Sequence, residues 1–215
     1  MDEKQANGVS GANTPTALIP NKIFFINSSS GDFSDELHVS DLSSLSPMES
    51  YTGGITESLS KRVQHIAKEK KNDASTWAFE LTRKTFSSTM QIHSASMGGE
   101  VVAELDMSVL KQWGTWTIRF PEESDHSNHD VEIHRVGIWR KEETFIKDST
   151  LFSWDLSGPG KSGRLYQVSD GERVLVAEFV AKHLFRNSCV LVLNDTLMDE
   201  VVVLATCVAV LNRQN

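Results

Sequence analysis

Residues 189–215 read CVLVLNDTLMDEVVVLATCVAVLNRQN. Whether the last apolar run of this stretch lies in lipid or inside the protein decides the fold. Residues 189–193 are apolar and mostly branched, which suits a buried strand. Asn194, Asp195 and Thr196 then offer side-chain oxygens to the orphan N–H groups of a first helical turn. Thr196 and Asp199 have the spacing of a capping box, with Asp in place of the usual Glu or Gln. Asp199 and Glu200 also sit where the helix dipole favours negative charge. From Val201 to Leu211 every residue except Thr206 is apolar, and Asn212, Arg213, Gln214 and Asn215 end the run. The pattern predicts a helix over 197–212.

A helix apolar on all sides is surrounded by protein or by lipid. Length decides between them, because crossing a bilayer takes about 20 consecutive apolar residues. The run 201–211 is much shorter, Asp199 and Glu200 block its extension, and only Arg213 follows as a cation. Burial in the protein core is therefore the expectation. A tail anchor and a partner-binding helix are the alternatives.

The bulk composition narrows the function classes. A chain of 215 residues suits one large domain with tails, or two small ones. A formal charge of −8 and a pI near 5.4 argue against a general nucleic-acid binder and against constitutive docking on anionic membranes. Cys189 and Cys207 both fall in the apolar C-terminal region and read as buried free thiols. No N-terminal apolar segment has the form of a secretory signal, so the expected location is cytoplasmic, with nuclear or peripheral membrane association as alternatives.

Residues 1–50 are rich in Ser, Gly, Asn and Asp, and seven acids against Lys4 and Lys22 leave a charge of −5. They read as a mostly flexible acidic tail, with a short strand at 22–27 (KIFFIN). A barrel domain is expected over 51–215. Within residues 55–71, Ile55, Leu59, Val63 and Ile66 form a helical stripe, and five bases face two acids. A helix is the expectation there, although 63–67 also reads as an edge strand.

After Ser75 the period changes to two. TWAFELTR alternates Trp77, Phe79 and Leu81, STMQIHS alternates Met90 and Ile92, and GTWTIRF alternates Trp116, Ile118 and Phe120. EVVAELDM, DVEIHRVGIW, TFIKD, TLFSWDLS, GRLYQVSD, RVLVAEFVA and CVLVLN continue the series. Spacings of 8–12 residues with Gly, Asp and Ser between them mark an antiparallel meander, sandwich or barrel. SGPGKSG (157–163) and SDGE (169–172) are the clearest hairpin turns. A closed barrel removes sheet edges, and its interior must be filled. The fold class expected is mainly β: an antiparallel barrel of about 10–12 strands enclosing the hydrophobic C-terminal helix.

GGEVVAELDM, TLFSWDLSGPGKSGRLYQV, VLVAEFVAK and LNDTLMDEVVVLATCVAVLNR together resemble the tubby C-terminal-like superfamily. That group includes the tubby domains, the phospholipid scramblases and the plant LURP-one-related proteins, and the local pattern is closest to fungal tubby-like domains of unknown function. The features that carry the resemblance are Phe152 and Trp154 before a Gly-rich turn, then Leu165 and Tyr166, then a late acidic residue opening the apolar helix. They cover roughly residues 85–213. The resemblance implies a barrel around a central C-terminal helix and, from the tubby domains, binding of phosphoinositides through basic side chains. It carries no individual site residue onto this chain.

Read from the residues alone, Lys61, Arg62, Lys68, Lys70 and Lys71, with Arg83 and Lys84, are the candidates for phosphate contact, because bases on an amphipathic segment can dock on anionic headgroups. The bland alternative is a solvated helix face. His126, His129 and His134, with Asp125, Asp130 and Glu132, offer zinc-type ligands, but their spacing matches no established site, and no metal ligand is assigned. No cofactor motif is present either. SGPGKSG lacks the spacing of a phosphate loop, and Ser153 has no nucleophile-elbow context. The tryptophans are expected in the barrel core or rim.

The function expected is a non-enzymatic binding module for phospholipid or phosphoinositide headgroups or a protein partner. A metal-dependent enzyme using the 125–134 cluster is the alternative. The partner expected is an anionic phospholipid or a protein, with no nucleic acid and no transmembrane span.

Overall fold

The computed structural model of the chain describes residues 16–28, 36–45, 47–83, 87–106, 115–137, 141–182 and 188–213. Twelve strands close into one antiparallel barrel: β1 (Lys22–Ser28), β2 (Leu37–Asp41), β3 (Trp77–Arg83), β4 (Thr89–Ser94), β5 (Glu100–Asp106), β6 (Trp116–Arg119), β7 (Val131–Arg135), β8 (Glu142–Lys147), β9 (Thr150–Asp155), β10 (Lys161–Ser169), β11 (Glu172–Lys182) and β12 (Ser188–Leu193). Each strand pairs with its chain neighbour, and β1 against β12 shuts the ring, with Phe24 opposite Leu191 and Ile26 opposite Cys189. Two α-helices complete the fold among the described residues, α1 (Glu57–Glu69) and α2 (Glu200–Arg213).

Helix α2 fills the barrel. Every residue from Val201 to Leu211 is buried, among inward side chains that include Phe24, Leu81, Ile92, Leu105, Ile118, Trp154 and Phe179. Burying a Val or Leu side chain contributes about 1.5–3 kcal/mol, so α2 is the largest single apolar contribution to the interior. The one polar side chain between Val201 and Leu211 is satisfied, since Thr206 Oγ1 donates to the Val203 carbonyl at 3.1 Å. Cys189 and Cys207 are free and buried, and burial pushes the Cys207 thiol up.

Helix α2 starts later than the sequence pattern predicts. Asp199 is its cap: Oδ1 accepts from Val201 N at 2.9 Å and Val202 N at 3.2 Å. Asn194 and Thr196 instead build the turn that leaves β12, where Thr196 N donates to Asn194 Oδ1 at 3.1 Å. The expected 197–212 helix is therefore Glu200–Arg213, because an Asx turn holds the three earlier polar residues outside it.

The barrel also begins earlier than residue 51, since β1 and β2 fall inside the segment read as a tail. β1 is apolar on both faces for a reason visible in the packing. Phe24 and Ile26 point inward, while Ile23 joins Val190 and Val192 of β12 in a second apolar cluster on the outer wall. α1 covers that wall with Leu59, Val63 and Ala67. Residues 63–67 are thus helical, not an edge strand. Thr56 caps the helix, accepting from Leu59 N at 3.1 Å, and Lys70 closes it. Glu178 on β11 anchors the approach to α1: it accepts from Ile55 N at 3.0 Å, Tyr51 Oη at 3.3 Å and Arg164 Nε at 3.1 Å.

Of the core and rim positions expected for the tryptophans, Trp77 does not take the core one. A register shift between Val39 and Ser40 turns it outward, 47% exposed, although Phe79 and Leu81 of the same strand are buried. Trp116 and Trp154 are in the core as expected, and Trp113 and Trp139 lie outside the described residues. The hairpin at 169–172 uses Asp170 at φ 50° and Gly171 at φ 81°, the paired left-handed turn that two antiparallel strands favour.

Candidate functional site: the two charged mouths of the barrel

Because α2 fills the interior, polar chemistry collects at the barrel's two ends. The strand order places the N-terminus of α2 at one mouth and its C-terminus at the other. An α-helix carries roughly half a positive charge at its N-terminus and half a negative charge at its C-terminus. The side chains at each mouth oppose that dipole.

β8 shows the device most clearly. Its inward row is Glu143, Phe145 and Lys147, an acid and a base separated by one aromatic ring. Glu143 meets the C-terminal end of α2, where its Oε2 lies 3.2 Å from Arg213 Nη1 and both side chains are only 4% exposed. Lys147 lies at the other mouth, in the cleft that also holds Asp199.

The C-terminal mouth is the basic one. A cleft of about 250 Å³ is lined by Arg135, Lys141, Lys161 and Arg213 together with Glu142 and Glu143. Arg213 also stacks over the Trp116 ring at 4.6 Å and reaches the Ile133 carbonyl at 3.5 Å. Burial pushes the Glu143 carboxyl above its ordinary range despite the pull of Arg213 and Arg135, and burial likewise draws the Arg213 guanidinium down. Desolvation thus outweighs attraction on both partners. Glu142 is engaged as well, accepting from Ser153 Oγ at 2.7 Å. Four cations against two carboxylates and a helix C-terminus leave a net positive cleft in a chain whose total charge is −8.

The N-terminal mouth is acidic. Asp125, Asp148, Asp195 and Asp199 line a cleft of about 510 Å³ with His126 and Lys147. His126 Nδ1 lies 3.0 Å from Asp199 Oδ2, on the carboxylate that caps α2. Lys22 bridges Asp41 at 3.2 Å and Glu200 at 3.1 Å, which ties β1 to the first turn of the helix.

The residues singled out from the sequence are not gathered into one patch. Lys61, Arg62, Lys68 and Lys71 lie on the exposed face of α1 and just past its end. Several are already engaged: Lys61 with Glu57 at 2.9 Å, Lys70 with Asp73 at 3.1 Å, and Arg62 donating to Ser50 at 2.8 Å. Arg83 stands at the far end of β3, about 20 Å along the strand from where the α1 connection enters it. It donates to the Ser87 carbonyl at 2.9 Å. Lys84 lies outside the described residues.

The histidines of 125–134 do not converge either. His126 turns to Asp199, His129 to Asn128 at 2.8 Å, and His134 to Thr115 at 2.9 Å. Val131 and Ile133 face the core while Glu132 and His134 face out, so the strand expected there is present as β7 but supports no ligand cage.

Sequence reading missed Arg135, Lys141, Glu143, Lys161 and Arg213 as a group, because they come from β7, the connection before β8, β8 itself, β10 and α2. A signal was present: in EETFIKD the period-two face that carries Phe145 also carries Glu143 and Lys147. Arg213 was the only cation on the terminal helix, and so the only partner that helix offers a buried acid.

Compared with known proteins, the chain matches no family model, no curated protein and no solved structure.

Proposed function

We propose that the chain is a non-enzymatic binding module whose basic mouth takes an anionic, phosphate-bearing phospholipid headgroup. One observation carries this reading: Arg135, Lys141, Lys161 and Arg213 line a single cleft at the barrel rim. Paired guanidinium and ammonium donors suit the several oxygens of a phosphate, and a partly desolvated cleft strengthens each contact. Arg213, held by Glu143 and Trp116, is preorganised, while Lys141 at the exposed rim is free to adapt. The sequence resemblance to tubby-like domains supports the same ligand class, since a closed barrel around a buried C-terminal helix is the architecture that resemblance implies. No helix among the described residues is long and apolar enough to cross a membrane, so association would be peripheral.

Vesicle co-sedimentation tests the proposal. Phosphatidylcholine vesicles with and without phosphoinositide are compared for wild type, for Lys141→Gln/Lys161→Gln, and for a variant with Lys61, Arg62, Lys68, Lys70 and Lys71 changed to Gln. Expected are phosphoinositide-dependent, salt-sensitive binding, its loss in the mouth variant, and its partial retention in the α1 variant. Loss confined to the α1 variant would transfer the site to that helix. Absence of wild-type binding to either vesicle would overturn the lipid reading and direct attention to protein partners.

A further inference from the structure

Outside both mouths, on the outer wall of the barrel, Glu36, His38 and Glu80 form a separate cluster. His38 on β2 is directly opposite Glu80 on β3 in the strand register. Glu36 precedes His38 by two residues, so the two share the outward face. One ligand atom from each of the three residues lies within 4.8 Å of the other two. A point equidistant from three atoms at that separation is at most about 2.8 Å from each, against bond lengths of about 2.0–2.2 Å for zinc to imidazole nitrogen or carboxylate oxygen. Contraction of each ligand by at most about 0.6–0.8 Å would close the shell. His38 Nε2 and Glu36 Oε1 are 3.5 Å apart, near the roughly 3.4 Å that two ligands of one tetrahedral zinc subtend.

The imidazole is also held in place. The Trp77 ring packs on it with centroids 5.6 Å apart, which is the local role of the indole that the register shift turns outward. His38 Nδ1 is buried and meets no hydrogen-bond partner. Nε2 is the nitrogen that faces the Glu36 carboxylate. The imidazole and the two carboxylates thus bring three ligand atoms into one small volume.

We infer that Glu36, His38 and Glu80 form a surface site for a divalent transition-metal ion of the zinc class, with water completing its shell. One imidazole with two carboxylates favours such an ion over magnesium or calcium, which prefer all-oxygen shells. The site is independent of the basic mouth and does not rest on the lipid reading.

The test uses the untagged full chain, stripped with chelator and then freed of it. Isothermal titration with Zn²⁺ is expected to give one saturable equivalent. His38→Gln and Glu80→Gln should each weaken binding at least tenfold, within the range that loss of a metal-site group produces, and should leave the thermal midpoint of the metal-free protein unchanged. Glu36→Gln, an exposed position, gives the same readout with the least effect on folding. His134→Gln should change nothing. Ni²⁺ should quench tryptophan fluorescence saturably in wild type, and Trp77→Phe should remove that quench without changing the zinc stoichiometry. The inference is overturned if wild type shows no saturable zinc binding, or if His38→Gln binds as well as wild type.

Discussion

Changing Glu143 to Gln removes one charge and almost no volume from the most desolvated ion pair described in this barrel. Glu143 and Arg213 are 3.2 Å apart and each 4% exposed. At an effective dielectric of about 20, their gross attraction is about 5 kcal/mol, and desolvating each ion costs several kcal/mol. The upward shift of Glu143 and the downward shift of Arg213 both show desolvation prevailing. The pair therefore adds little net stability, yet leaving either charge alone is costly. Glu143→Gln strands the guanidinium and should cost about 3–5 kcal/mol. Arg213→Met should cost less, about 1–3 kcal/mol, because the carboxyl left behind can take a proton. The double variant, neutral on both sides and with Met still covering Trp116, should return to within about 1 kcal/mol of wild type. Urea unfolding near pH 7 measures all four proteins, and the cycle should return a coupling energy of at least about 3 kcal/mol. The sign with pH is fixed too. A carboxyl whose folded pKa is raised binds its proton more tightly in the folded chain, so its contribution grows as pH falls through the folded value toward about 4.3 and is absent well above it. Arg213→Met should thus gain stability relative to the double variant as pH falls from about 7. Simple additivity of the two single losses would refute the reasoning, as would a Glu143→Gln variant as stable as wild type.

Three further outcomes follow from the same packing. Leu204 is fully buried at the centre of α2, so Leu204→Ala should cost about 3–5 kcal/mol, and Leu204→Asp should abolish cooperative folding; a soluble Leu204→Asp protein with a sharp thermal transition would contradict the central-helix packing. Asp199→Ala removes the cap of α2 and should lower stability by about 0.5–2 kcal/mol by urea melt, with Asp199→Asn recovering most of the loss. Glu178→Gln weakens the acceptor shared by Ile55, Tyr51 and Arg164; amide exchange over 51–60 should accelerate about tenfold or more, while β12 and α2 keep their protection, and uniform acceleration across the chain would argue against a local anchor.

Much of the barrel was legible because its cause is local. Period-two alternation in TMQIHS and VEIHR reports which face is buried, and an apolar run too short for a bilayer, VVVLATCVAVL, reports what fills the ring. β2 was not legible: LHVSD is five residues of mixed character, and only closure against β1 and β3 makes it a strand. The helix start was misplaced because four polar residues in NDTLMD compete for one cap, and which wins depends on how β12 must turn. The site was the least legible part. Arg135, Lys141, Lys161 and Arg213 are separated by up to 78 positions, and they meet through barrel registration. Glu36 and Glu80 are 44 apart and meet for the same reason.

The order of elements has a consequence for biosynthesis. The filler of the ring, α2, follows all twelve strands in the chain. At about 5–20 residues per second, the ribosome spends on the order of ten seconds or more delivering β1 through β12 before the first turn of α2 exists. During that interval the inward faces of the strands have neither partner nor cover, and β1 has no edge to close against until β12 emerges. The nascent chain is thus a client for factors that shield apolar strands, and its commitment to the native state waits for α2 rather than accruing strand by strand.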